Sequence, residues 1–252
     1  MGMLWYARVW SGGLYTLYSA MKDNSVIDFD SENPYYYVDD YAVYSVTSFN
    51  DVHKAVIEIV VDSLDGEFVI KEGVDLNGIY YEIYHVSTGD GFYQNYRTKV
   101  FSNCENIVID NNDYFSYYDG VLYLYNEYSQ GIIELVVKEA HVEIKDGCKY
   151  TNGVFSYNKV IEEIVLPSSI ENITTYDFIE AINLKRVYLT NSITNIYDYA
   201  FMDCESLSDI YYAGTMMEWK SIEFGYNWDL NTGNYVIHCS DGDIAKEDFI
   251  ND

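Results

Sequence analysis

Between Phe155 and Tyr212 the apolar positions of this 252-residue chain return on a fixed beat. The stretches "FSYNKVIEEIVLPSSI" from Phe155, "FIEAINLKRVYLTNSI" from Phe178 and "FMDCESLSDIYYAGTM" from Phe201 begin 23 residues apart. The first carries Phe155, Asn158, Ile161, Ile164 and Leu166 at offsets that the second repeats as Phe178, Ala181, Leu184, Val187 and Leu189. The third continues with Phe201, Cys204, Leu207, Ile210 and Tyr212. The closing alternation, as in Val187 to Leu189, has the period of two that marks a strand. A helix cannot be read straight through such a phrase, whereas one short strand with a return segment can. The few apolar side chains of one unit cannot offset the ordering of its backbone, so the units are expected to stack.

A longer phrase repeats earlier in the chain. "ENPYYYVDDYAVY" (Glu32 to Tyr44) matches "NNDYFSYYDGVLY" (Asn111 to Tyr123), and "AVIEIVV" (Ala55 to Val61) matches "GIIELVV" (Gly131 to Val137). "IKEG" from Ile70 matches "IKDG" from Ile144, and "FSNCENI" from Phe101 echoes "FMDCESL" from Phe201. Repetition therefore covers roughly Ser25 to Gly214, with the irregular members first.

Composition adds 29 tyrosines against 2 prolines, a balance that suits pleated surfaces and uninterrupted ladders. The 41 acidic and 14 basic residues give a net charge of −27, a field that repels phosphate backbones and anionic membranes. Nucleic-acid binding is not expected, and no apolar run is long enough to insert in a membrane. Cys104, Cys148, Cys204 and Cys239 show no metal-ligand spacing and no disulfide framework. The aromatic N-terminus lacks a basic region ahead of an apolar one, so no signal peptide is read there, and an exported protein would need one already removed.

These residues carry a family resemblance. The tandem phrase in "IEEIVLPSSIENI" and "LKRVYLTNSITNI", closed by "F…CESL", resembles the BspA-type leucine-rich repeat, and "NNDYFSYYDGVLY" resembles a companion of such repeats. The tail from Ile210 to Gly242 is similar to the hairpin segment that closes such arrays. Thr190 stands where Pro is usual in the family and Ala181 where Cys is usual. The resemblance implies a β-rich leucine-rich repeat solenoid with a parallel sheet on its concave face and a C-terminal cap. The expected domains are an unassigned cap or strand at 1–24, repeats at 25–213, and a capping segment and tail at 214–252.

On that pattern "LKRVYL" is a strand whose Val187 and Leu189 point inward and whose Arg186 and Tyr188 point out. Stacking then makes one outward column of Val165, Tyr188 and Tyr211 and another of Glu163, Arg186 and Asp209, which are the candidate ligand-binding residues. The plainer reading of the tyrosines is cover for a β surface, and of "NPYYYVDDY" and "NDYFSYYDG" turn and edge packing. Cys104 and Cys204, at matching repeat positions, read as buried thiols lacking a nearby cation. "DFDSENPYYYVD" (Asp28 to Asp39) partly fits a calcium loop but has Asn33 at the position that needs Gly, and it reads better as a solvated acidic turn. His238 and Cys239 are strand neighbours facing opposite ways, not a catalytic dyad.

No catalytic signature, metal or cofactor is expected. The resemblance implies a non-enzymatic, adhesin-like module, monomeric, extracellular or at a cell surface, binding a protein or glycan. The alternative is a structural or virion component whose partner is its own assembly, in a phage particle or the cytoplasm.

Overall fold

A computed structural model describes residues 35–38, 42–49, 52–60, 67–76, 78–86, 104, 106–118, 120–125, 130–135, 139–151 and 153–250. The N-terminal segment 1–24, and all but 35–38 of the acidic loop, lie outside the described residues. The chain divides into two compact units, Met1–Ser116 and Tyr117–Asp252.

The first unit contains β1 (Tyr35–Val38), β2 (Ala42–Phe49), β3 (Val52–Val60), β4 (Glu67–Lys71), β5 (Gly73–Leu76), β6 (Ile79–Val86) and β7 (Asn106–Asp110). Five of these form a sheet in the order β1-β2-β3-β6-β5, and β4 pairs in parallel with β7. Alternation sets which side chains go inside: Ala42, Tyr44 and Val46 on β2 and Phe68 and Ile70 on β4 are buried. Buried Asn112 ties the turn after β7 to two strands. Its amide donates to the carbonyls of Lys71 and Ile83, each at 2.8 Å, and its Oδ1 accepts from the Tyr114 amide at 3.0 Å. A buried amide with its groups satisfied in this way stabilises one arrangement of the chain.

Strand β8 (Phe115–Tyr118) carries the chain into the second unit, which opens with β9 (Val121–Tyr125) and β10 (Gln130–Leu135). The repeated Tyr-rich phrases fold alike. The hairpin of β2 and β3 and the hairpin of β9 and β10 each carry a bulge at the corresponding place. Val43 and Tyr44 face Ile59 and Ile57, with one residue skipped, and Leu122 and Tyr123 face Glu134 and Ile132 with the same skip. In these pairings Ile57 corresponds to Ile132, one residue short of the Ile133 that the phrase match suggests.

The 23-residue units then appear as pairs of short parallel strands. Strands β11 (His141–Glu143), β12 (Glu163–Val165), β14 (Arg186–Leu189), β16 (Asp209–Tyr212), β18 (Val236–Cys239) and β19 (Gly242–Ala245) form one sheet in that order. All its pairings are parallel except the closing hairpin of β18 and β19. Strands β13 (Asn172–Ile173), β15 (Asn195–Ile196) and β17 (Glu223–Phe224) form a second, parallel sheet. The inward residues of both share one core with the repeat aromatics. Every apolar position of the three aligned phrases is buried, and Asn158, half-buried, accepts hydrogen bonds from the amides of Val160 and Ile161 through its Oδ1.

Stacking is continuous through that core. The rings of Phe155 and Phe178 lie 5.2 Å apart and those of Phe178 and Phe201 4.8 Å apart, nearly parallel, and Trp228 ends the row edge-on at 6.0 Å. Thr190 and Ala181, the two departures from the repeated phrase, keep its turns. Thr190 supports the same tight turn as Pro167, with the Ile193 amide donating to its carbonyl as the Ile170 amide donates to that of Pro167. Ala181 and Cys204 sit in equivalent turns, and both are buried. Cys104 is buried as well, and the Cys204 thiol donates to the Phe178 carbonyl at 3.0 Å while burial pushes its pKa up to about 12. That is the inert packed thiol expected at these positions.

Each unit also turns through left-handed backbone at Gly153, Tyr176 and Tyr199, with φ of 65°, 66° and 56°. Glycine suits this region, and a tyrosine there costs on the order of 1 kcal/mol. The last unit differs because α1 (Met216–Lys220) is inserted, so Asn195 pairs with Glu223 and not with a residue 23 positions on. Thr215 and Glu218 cap α1 reciprocally, and the helix buries its own Trp219. A second short helix, α2 (Lys246–Ile250), follows β19.

Among the described residues two polar side chains are buried with these units, Asp177 and its donor Thr151. Asp177 has no exposed surface, and burial pushes its carboxyl above the usual range. It accepts from the Thr151 hydroxyl at 2.5 Å and the Gly153 amide at 3.0 Å in the preceding unit, and from the Thr174 amide at 2.6 Å in its own. Asp177→Ala should lower the unfolding free energy by about 3–5 kcal/mol, because three donors lose their acceptor at once. Urea unfolding measures this, and a loss under about 1 kcal/mol would contradict its role as a tie between units.

Candidate functional site

The outward face of the six-stranded sheet is built by strand alternation. Val142, Ile164, Val187, Ile210, Ile237 and Ile244 point into the core and are buried, so their neighbours on each strand point out. Parallel register lines those neighbours up. Glu163 pairs with Arg186 and Arg186 with Asp209; Val165 pairs with Tyr188 and Tyr188 with Tyr211. All six candidate residues therefore lie in the two columns read from the spacing.

The tyrosine column is tight. The rings of Tyr188 and Tyr211 are 4.6 Å apart and inclined by 9°, and His238 stacks on Tyr211 at 4.7 Å and 21°. Rings stacked this closely cover one another's faces, so the row turns edges rather than faces outward.

The second column is a ladder of charges. Glu163 lies between His141, whose Nδ1 is 2.7 Å from its Oε1, and Arg186, whose Nε donates to its Oε2. The Arg186 guanidinium, and then His141, hold the Glu163 carboxyl below the usual range against the opposing effect of burial. Asp209 accepts from the Ser208 hydroxyl at 2.6 Å and lies 2.9 Å from His238 Nε2, and the two contacts hold its carboxyl low as well. A further ion pair, Lys185 with Glu162 at 2.8 Å, flanks the ladder.

Spacing alone missed the ends of both columns. His141 and Glu143 pair with Glu163 and Val165, and Val236 and His238 pair with Asp209 and Tyr211. The inserted α1 breaks the 23-residue step before β18, which hid His238 among the tail residues. The signal that could have found it is the apolar alternation of "YVIHC", with Tyr235 and Ile237 buried and His238 between Ile237 and Cys239 on the strand. A second aromatic row lies on the turns, where Tyr176 and Tyr199 stack at 5.5 Å and 11° and exposed Tyr226 meets Tyr199 edge-on at 5.8 Å. Among the described residues no group of three or more His, Cys, Asp or Glu side chains is arranged to hold a metal ion.

Glu163 should titrate below its ordinary range in the folded chain, and Arg186→Met should raise it. The stability it contributes is present above the unfolded-state value and is lost as pH falls through the lowered one. Carboxyl titration by NMR checks this; equal midpoints in the two proteins would contradict the pairing.

The family model for the BspA type leucine rich repeat region matches residues 140–241 in six copies. No curated protein matches the chain. The crystal structure of a leucine rich cell surface protein from Faecalibacterium prausnitzii A2-165 is similar over 77% of this chain and 99% of that one, at 11% identity and a TM-score of 0.30, a likeness too slight to carry an argument.

Proposed function

We propose that this chain, which carries BspA-type leucine-rich repeats over residues 140–241, is a non-enzymatic recognition module. It engages a protein or glycan on a surface through the outward face of its six-stranded sheet, with Glu163, Val165, Arg186, Tyr188, Asp209 and Tyr211 making contact. The stacked pair Tyr188 and Tyr211 is the observation that carries the reading. Aromatic anchors held rigid before binding contribute large contact area at low entropic cost, and arginine beside them is the other side chain favoured at binding hot spots.

In this reading the repeats stack as a solenoid, the sheet forms its concave face, and residues 214–252 cap the end. The lengthened last step, the insertion of α1 and the burial of Trp219 support a terminal unit built differently from those it closes. The module is adhesin-like and works outside or on the surface of a cell, the setting that BspA-type repeats suggest.

Immobilised protein probed against cell-surface extracts and a glycan panel tests the reading. Tyr188→Ala combined with Tyr211→Ala should weaken capture tenfold or more, about 1.4 kcal/mol, without unfolding the chain. Unchanged affinity in the folded double variant would remove the site assignment. Concentration-dependent self-association in light scattering, with no external ligand, would instead point to a component of its own assembly.

A further inference from the structure

The tyrosine ladder ends on a histidine whose neighbours determine its protonation. His238 Nε2 lies 2.9 Å from Asp209 Oδ1 and its Nδ1 lies 3.0 Å from Asp243 Oδ1. A neutral imidazole has one N–H and one lone pair, so it can donate to one carboxylate and must present a lone pair to the other. Two carboxylates, one at each nitrogen, are satisfied together by the imidazolium alone. Asp209 belongs to β16, His238 to β18 and Asp243 to β19, so this one side chain joins three strands while its ring stacks on Tyr211.

The remaining charged and titratable groups around it do not undo that balance. Arg186 on β14 acts on Asp209 but is already bonded to Glu163. Burial raises the Tyr211 phenol and pushes the Cys239 thiol up to about 11, so both stay neutral near pH 7. Asp241 accepts from the Met216 amide at 2.7 Å. In keeping with the geometry, the hydrogen bond to Asp209 first, and then that to Asp243, raise the His238 pKa from its ordinary 6.5 against the opposing effect of burial.

We propose that His238 is a positioning residue of the recognition face, doubly protonated between Asp209 and Asp243, and that its deprotonation releases one carboxylate and unsettles the Tyr211 end of the ladder. Its meaning for binding rests on the sheet face being the recognition surface, but the protonation and the ladder geometry are measurable with no ligand present. The sign follows from linkage. A histidine raised in the folded state contributes stability that is complete below its unfolded-state value, here the ordinary 6.5, and that is lost as pH rises through the raised value.

Two measurements on the full chain test this. Histidine ring signals followed by NMR should give His238 a midpoint above 6.5, and Asp209→Asn and Asp243→Asn should each lower it. Ring-to-ring NOEs between Tyr188 and Tyr211 should weaken with the same midpoint, an effect that the changing charge of a stacked histidine does not produce by itself. The melting temperature of the unaltered chain should exceed that of His238→Gln most below pH 6.5, and the excess should shrink as pH rises. A His238 midpoint at or below 6.5, or Tyr188–Tyr211 NOEs indifferent to it, would overturn the proposal. If His238→Gln does not fold, the Asp243→Asn titration still decides.

Discussion

Parallel pairing at a constant step of 23 residues is the constraint from which the second unit follows. An extended strand cannot satisfy its own backbone groups, so the amides and carbonyls of each repeat are met by the unit before and the unit after. The Phe178 amide donates to the Ala200 carbonyl at 2.8 Å and the Phe201 amide to the Trp228 carbonyl at 2.7 Å. Once that register holds, position determines environment. Equivalent residues fall into columns, apolar ones into the core and the rest onto the outer face. The Phe155–Phe178–Phe201 row and the Tyr188–Tyr211–His238 row are the inner and outer products of the same spacing.

That spacing also shapes the electrostatics of the face. The chain carries a net charge of −27, yet the charged column does not present a run of acids. His141, Glu163 and Arg186 form one group and Asp209, His238 and Asp243 another, each with donors and acceptors alternating from strand to strand. Like charges stacked at the strand spacing would repel, and alternation removes that cost. The charges thereby hold the face in shape beside the aromatic row, and the excess of carboxylates lies elsewhere in the chain.

Much of this arrangement was legible wherever the step stayed constant. The offsets shared by the phrases from Phe155, Phe178 and Phe201 placed the buried positions, the two outward columns and all six candidate residues. Legibility failed where the step changed. The α1 insertion displaced His238 from the count, although it completes both the aromatic row and the charge ladder. Asp177 was invisible for another reason. It stands one position before Phe178, in the slot that Ala200 occupies before Phe201, and no local pattern signals a carboxylate buried to bond two units. In the first unit the repeated Tyr-rich phrase read as turn and edge packing, and the bulge shared by the two hairpins became apparent only from the pairing.

Native-state hydrogen exchange is the most direct measurement of the claim that no repeat stands without its neighbours. The amides to follow are those of Phe178, Phe201, Asp209 and Val236, each bonded to a carbonyl of an adjacent unit. Interdependent stacking predicts that they exchange with one common free energy, equal to that of global unfolding of the second unit. Separate exchange free energies, with one repeat opening while its neighbours stay protected, would contradict it.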